Sequence, residues 1–171
     1  TDALSTFTFV EALGLTYVSK LVVDSLGLGS AHGGDRAGLS RDADARRKPR
    51  LVGSVDGGPL DADARSDLAA MMLGAMSLTR NFARIVLLAG HGSATRNNPH
   101  AAGLDCGACC GQTGEVNARA AAALLNEPEV RAGLSRRGIE VPESTWFVAG
   151  LHNTTTDDVA LFDLDELPLS H

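Results

Sequence analysis

Apolar residues recur along this chain first at helical spacing and later in short continuous runs, so helices are expected early and strands later. In residues 7–26, FTFVEALGLTYVSKLVVDSL, the positions Phe9, Val10, Leu13, Tyr17, Leu21 and Leu26 fall near one helical face, and Gly27 can stop the helix. The β-branched pair Val22-Val23 works against that helix, because such side chains lose rotamer freedom in it. Residues 1–28 thus read as an N-terminal helical unit.

From 29 to 65 the pattern breaks into Gly, Asp and Arg with few large apolar side chains, the mark of a flexible linker or insertion. The sub-run RRKP within it reads as solvated charge. Periodicity resumes in 66–82, where Leu68, Met71, Met72, Ala75, Met76, Leu78 and Phe82 make a stripe behind Ser66, the expected N-cap. Methionines at that spacing read as adaptable core filler.

The period then changes. RIVLLAG, 84–90, is a continuous apolar run bounded by glycine, as in a strand buried on both faces. Helices are expected over 115–125 and 127–137, the second with Asn126 as cap, Pro128 in its first turn and Gly138 just past its end. STWFVAGLH, 144–152, reads as another strand and DVALFDL as a third candidate. Strand, loop, helices, strand is the order of an α/β fold with a parallel-sheet core and flanking helices, here assigned to 66–171.

Composition refines this picture at a few points. The 171 residues suffice for one domain with a real core, and aromatics at 4% leave Ala and Leu to fill it. A net charge of −6 with no basic stripe argues against nucleic acid as a partner. Three cysteines, Cys106, Cys109 and Cys110, are an odd number within five positions, which fits a reducing compartment rather than a disulfide framework. No apolar run reaches the roughly 18 residues of a membrane span.

The chemistry concentrates in residues 90–112, GHGSATRNNPHAAGLDCGACCGQ. Ligands of open α/β sheets collect at the carboxyl ends of parallel strands, and His91 and His152 each follow such an end. Cys106 lies in a glycine-rich loop just before a helix start, where unpaired backbone N–H groups favour a thiolate. His91 and Cys106 could therefore be half of a tetrahedral zinc site, or Cys106 a nucleophile with His91 or His152 as base. A phosphate cradle ranks below both, since neither GxxxxGK[ST] nor GxGxxG is present. Cys109 and Cys110 read as small buried or redox-exposed thiols.

The run GHGSATRNNPHAAGLDCGACCGQTGEVNARAAAALLN, extended by SLTRNF upstream and TWFVAGLHNTTTD downstream, resembles the DabA family, the large subunit of a bacterial inorganic-carbon uptake system. The resemblance is specific over about residues 67–158 and implies a core like part of a β-carbonic anhydrase. It implies a zinc site of two cysteines, one aspartate and one histidine, whose histidine falls on His91 and second cysteine on Cys106. Asp105, Gly92, Ser93 and His152 are second-shell or pocket candidates.

The family's C-x-D-x-R segment is absent here, so the two other ligands are expected upstream of Thr1, in a longer protein of which this is a carboxyl-terminal piece. The implied activity is carbonic-anhydrase-like CO2 hydration to bicarbonate, inactive in this piece alone. The implied setting is the cytoplasmic face of the bacterial inner membrane, peripheral to a DabB-like, integral-membrane ion-conducting partner. Two rival readings remain: a cysteine-dependent hydrolase built on Cys106 and His91, and a non-catalytic subunit-docking domain.

Overall fold

The computed structural model describes residues 17–26, 47–53, 57–95, 98 and 100–171. Helix α1, Tyr17–Ser25, falls within the expected N-terminal helix, whose Phe9, Val10 and Leu13 lie outside the described residues. So do residues 29–46 and 54–56 of the expected linker. The rest comprises α2 (Ala62–Ala75), β1 (Ile85–Gly92), α3 (Glu115–Asn126), α4 (Pro128–Arg136), β2 (Trp146–Asn153) and β3 (Val159–Phe162).

The three strands form one sheet in the order β1-β2-β3. β1 and β2 are parallel, joined through α3 and α4, as the strand-helix-strand order implies. β3 returns antiparallel to β2, because the five residues from Thr154 to Asp158 leave room for a turn but not for a crossover. The sheet is therefore mixed within an α/β fold.

One face of this sheet carries the core. Val86 and Leu88 of β1, Phe147 and Ala149 of β2 and Phe162 of β3 pack with Ala118, Ala122 and Leu125 of α3, Ala69 and Leu73 of α2, and Val130 and Leu134 of α4. The aromatic shortage is met as expected, by Ala and Leu, with Phe82 and Phe147 in edge contact at a centroid distance of 6.2 Å.

Two caps differ from the expected ones. Asp61, not Ser66, caps α2, accepting from the Ala64 N–H at 2.7 Å, so the helix starts at Ala62 inside the expected linker. Ser66 is fully buried one turn further on, its Oγ donating to the Ala62 carbonyl, where a Cβ on Gly133 of α4 would lie 2.0 Å away. That close crossing rotates the buried stripe of α2 onto Ser66, Ala69 and Leu73. Met72 packs against the core, whereas Met71 and Met76 are exposed and do not act as core filler.

Asn126 does not cap α4, which starts from Glu127. Its amide is committed to the strand instead: Nδ2 donates to the Phe147 carbonyl at 2.8 Å and Oδ1 accepts from the Phe147 N–H at 3.0 Å. Arg131 donates to Asn126 Oδ1 and to the Thr145 carbonyl, fixing this clamp. Burial depresses the Arg131 pKa.

Of the RRKP run, Arg46 lies outside the described residues, Arg47 is exposed, and Lys48 is half-buried in ion pairs. Lys48 pairs with Asp165 at 2.6 Å and Glu166 at 3.0 Å, and Arg50 pairs with Glu166 at 2.7 Å. The adjacent Arg47 carbonyl accepts from buried Arg119, while Leu51 packs on the core. Arg119 grips both carboxylate oxygens of Asp163 at 2.9 and 2.8 Å and reaches Glu115 at 3.0 Å. Its guanidinium also lies 5.2 Å from the Phe162 ring centroid, so α3, the end of β3 and the segment 47–53 converge on one cation.

Candidate functional site

The register pairs His91 on β1 with His152 on β2. Residues so paired in a parallel ladder share a sheet face, so both imidazoles belong to one face at one edge, as the matching strand ends imply. That face is opposite the helices, since Gly90, one residue before His91, abuts the start of α3. His91 is exposed there.

The long loop returns to β1 through backbone contact. The Gly114 N–H donates to the His91 carbonyl at 2.8 Å, and α3 begins at the next residue. A Cβ on Gly90 would lie 2.4 Å from the Gly114 carbonyl oxygen, so these two glycines allow a crossing that side chains would forbid. Of the other loop glycines, Gly111 alone takes a left-handed conformation, at φ 75°, next to Cys110 at φ 57°.

Asp105 ties the loop to the end of β1. Its Oδ1 accepts from the Ser93 N–H at 2.8 Å and from the Ser93 hydroxyl at 3.1 Å. Cys106, the next residue, is thereby held at the strand end that carries His91. Cys106 also pairs across the loop with Gln112, its N–H donating to the Gln112 carbonyl at 3.0 Å. Gly92 is buried, with the Thr113 side chain against its Cα, and its carbonyl accepts from both the N–H and the hydroxyl of Thr154.

The Cys106 thiol is held below its ordinary pKa, chiefly by a hydrogen bond from the Cys109 thiol and further by the N–H groups of Cys109 and Ala108. These donors belong to the single 3-10 turn Gly107–Cys109, not to α3, whose start was the expected source of stabilisation. Cys109 is pushed up, first by the same hydrogen bond to Cys106. Asn117 of α3 donates to its sulfur at 3.2 Å. Cys106 is therefore the more readily ionised of the pair, and its alkylation by iodoacetamide is expected to titrate at lower pH than that of Cys109. Peptide mass spectrometry across a pH series would read both curves, and coincident or reversed curves would refute the assignment.

His152 is engaged locally: its Nε2 lies 3.1 Å from Asp157 Oδ1. NTTTDD closes the β2–β3 turn, with Asn153 Oδ1 accepting from the Thr155 N–H at 3.0 Å and the Thr156 hydroxyl donating to Asp158 Oδ2 at 2.6 Å. Asp157 takes a left-handed φ of 60°, which orients its carboxylate towards His152. A cleft lined by Arg50, Arg119, Asn126, Phe147, Phe162 and Asp163 includes neither His91 nor Cys106.

Three site neighbours escape sequence reading: Asn117, Thr154 and Asp157. Only Asp157 left a signal, as an acid five residues after His152 across a tight turn. Among the described residues no cluster of three or more His, Cys, Asp and Glu side chains surrounds a common point. Also among the described residues, no helix is long and apolar enough to cross a membrane.

Comparison with known proteins gives one family: the model described as "Probable inorganic carbon transporter subunit DabA" matches residues 1–171. A relative from Halothiobacillus neapolitanus, "Probable inorganic carbon transporter subunit DabA2", is 56% identical over 166 residues, 96% of this chain and 20% of its own length. A relative from Acidithiobacillus ferrooxidans, described as subunit DabA, is 48% identical over 178 residues, 100% of this chain and 22% of its own. One from Chloroflexus aggregans is 54% identical over 172 residues, 98% of this chain and 20% of its own. The chain thus spans about a fifth of these relatives' length. No solved structure matches it.

Proposed function

Because this chain belongs to the DabA family, we propose that it is the part of an inorganic-carbon uptake subunit that supplies His91 and Cys106 to a zinc site. The observation that carries the reading is a thiol held towards its thiolate at Cys106, tethered through Asp105 and Ser93 to the strand end that bears His91. Imidazole and thiolate are the donors zinc prefers, so the two residues fit it. The other two ligands come from polypeptide outside these residues, in keeping with the relatives' five-fold greater length.

Bound zinc supplies a Lewis acid that brings the ionisation of water to about neutral pH, the chemistry that CO2 hydration to bicarbonate needs. This chain's own residues act around it. The Cys109 S–H and the turn amides favour the charged form of the Cys106 sulfur, the form that ligates. Asp105, bonded to Ser93, fixes the loop relative to β1 and so orients the Cys106 ligand from its outer side. Uptake is completed by a DabB-like, ion-conducting membrane partner, with this subunit peripheral on the cytoplasmic face.

The test is metal analysis of the full-length protein. About one zinc per chain is expected, lost in both His91→Ala and Cys106→Ser, with CO2 hydration abolished by a chelator. Unchanged zinc in both variants would overturn the reading. So would a hydrolytic activity that needs Cys106 and survives the chelator, which is the behaviour of a cysteine nucleophile.

A further inference from the structure

β1 is built as an interior strand, yet it lies at the sheet edge. Its residues, IVLLAGHG, include no lysine, proline or acidic side chain. Edge strands are ordinarily protected by such residues, by bulges or by covering elements, because an open ladder of N–H and C=O groups recruits other strands. One edge of β1 is occupied by β2; among the described strands none occupies the other.

The same strand is apolar on both faces but covered on one. Val86 and Leu88 pack into the core, while Ile85 and Leu87 are 48% and 47% exposed. On β3, Val159 and Leu161 are 53% and 48% exposed on this same side. The shared face is certain for Leu87 and Leu161, since a Cβ on Gly150 would touch both side chains. These four half-exposed apolar side chains, with buried Val148 of β2 among them on the same face, form a patch that ends at His91 and His152. Strands of parallel ladders are covered on both faces, and a monomer rarely leaves such a patch open.

We propose that this face and the free edge of β1 are an internal interface. Their occupant is the remaining polypeptide of a family-length chain, which adds a strand beside β1 and an apolar layer over Ile85, Leu87, Val159 and Leu161. Two arguments choose this occupant over a second copy. The relatives carry about four fifths of their length outside the matched region, so the cover is tethered and present at high effective concentration. A two-fold axis would also pair β1 with itself antiparallel, leaving the cover over the face unexplained. The inference does not depend on zinc.

Two measurements on the full-length protein test it. Hydrogen exchange of the unmodified protein should protect consecutive amides through Ile85–Gly92, because a strand paired on both sides bonds every N–H. A strand paired on one side protects alternate amides, and that pattern would overturn the proposal. In Leu87→Cys and Leu161→Cys, maleimide labelling resolved by peptide should be at least about 100-fold slower in the native protein than in denaturant. Labelling near the denatured rate counts against it. So does protection that disappears on dilution, which marks a second copy, or that needs the membrane partner. A full-length protein that protects β1 but holds no zinc would sink the metal reading and leave this one standing.

Discussion

Full-length protein carrying His91→Ala is expected to lose inorganic-carbon uptake by at least about 100-fold, while the thermal stability of its metal-free form stays within about 0.5 kcal/mol of the metal-free parent. The two halves of that expectation have separate causes. His91 is exposed, and its carbonyl accepts from the Gly114 N–H, a bond that alanine retains. The imidazole is dispensable to the fold, so its loss should fall on ligation. Losing a first ligand must cost at least what losing a hydrogen-bonded outer neighbour costs.

His152→Ala is the matched control. It occupies the same sheet row, but its Nε2 is spent on Asp157, and uptake should remain near the parent value. Equal loss in both variants would point to a histidine pair acting together and would defeat the assignment of His91 alone. A collapse of stability in His91→Ala would show instead that the imidazole is structural.

The sheet was legible because its signals are local. Continuous apolar runs marked β1 and β2, and the intervening helical pattern made them parallel, which brings His91 and His152 into one row. Helix ends were less legible, for a physical reason. Ser66 and Asn126 are both strong capping types, yet each is captured by a partner distant in sequence, Ser66 beneath Gly133 and Asn126 on the backbone of Phe147. Propensity at a helix terminus is worth about 1 kcal/mol, and a buried two-point hydrogen bond can outweigh it.

The thiol chemistry was legible in kind but not in source. Sequence placed Cys106 near a helix start; the structure shows a one-turn helix and a neighbouring thiol supplying the donors. No period announces that arrangement, because it depends on Cys110 and Gly111 both turning left-handed. The exposed apolar row on β1 carried the opposite lesson. The run RIVLLAG read as a strand buried on both faces, and the structure covers only one, so the sequence describes an environment larger than these residues make.

Gly90→Ala is expected to destabilise the protein by about 2 kcal/mol or more and to lower zinc content in parallel. The methyl group would meet backbone, not a side chain that can turn aside: the Gly114 carbonyl oxygen at 2.4 Å and its carbon at 2.5 Å. Relief requires moving the start of α3 off β1, which breaks the Gly114–His91 hydrogen bond and carries the Cys106–Gln112 loop away from the strand end. The neighbouring glycines grade the effect. At Gly92 the nearest atom is the Thr113 methyl at 3.0 Å, which can yield in part, so Gly92→Ala should cost less. At Gly107 nothing lies within 4 Å, and Gly107→Ala should be close to neutral. Urea unfolding and metal analysis of the three variants would read the series. Parallel declines in stability and zinc, steepest at Gly90, support a site whose two halves are joined by this crossing, and a Gly90→Ala protein that keeps both would break that link between fold and chemistry.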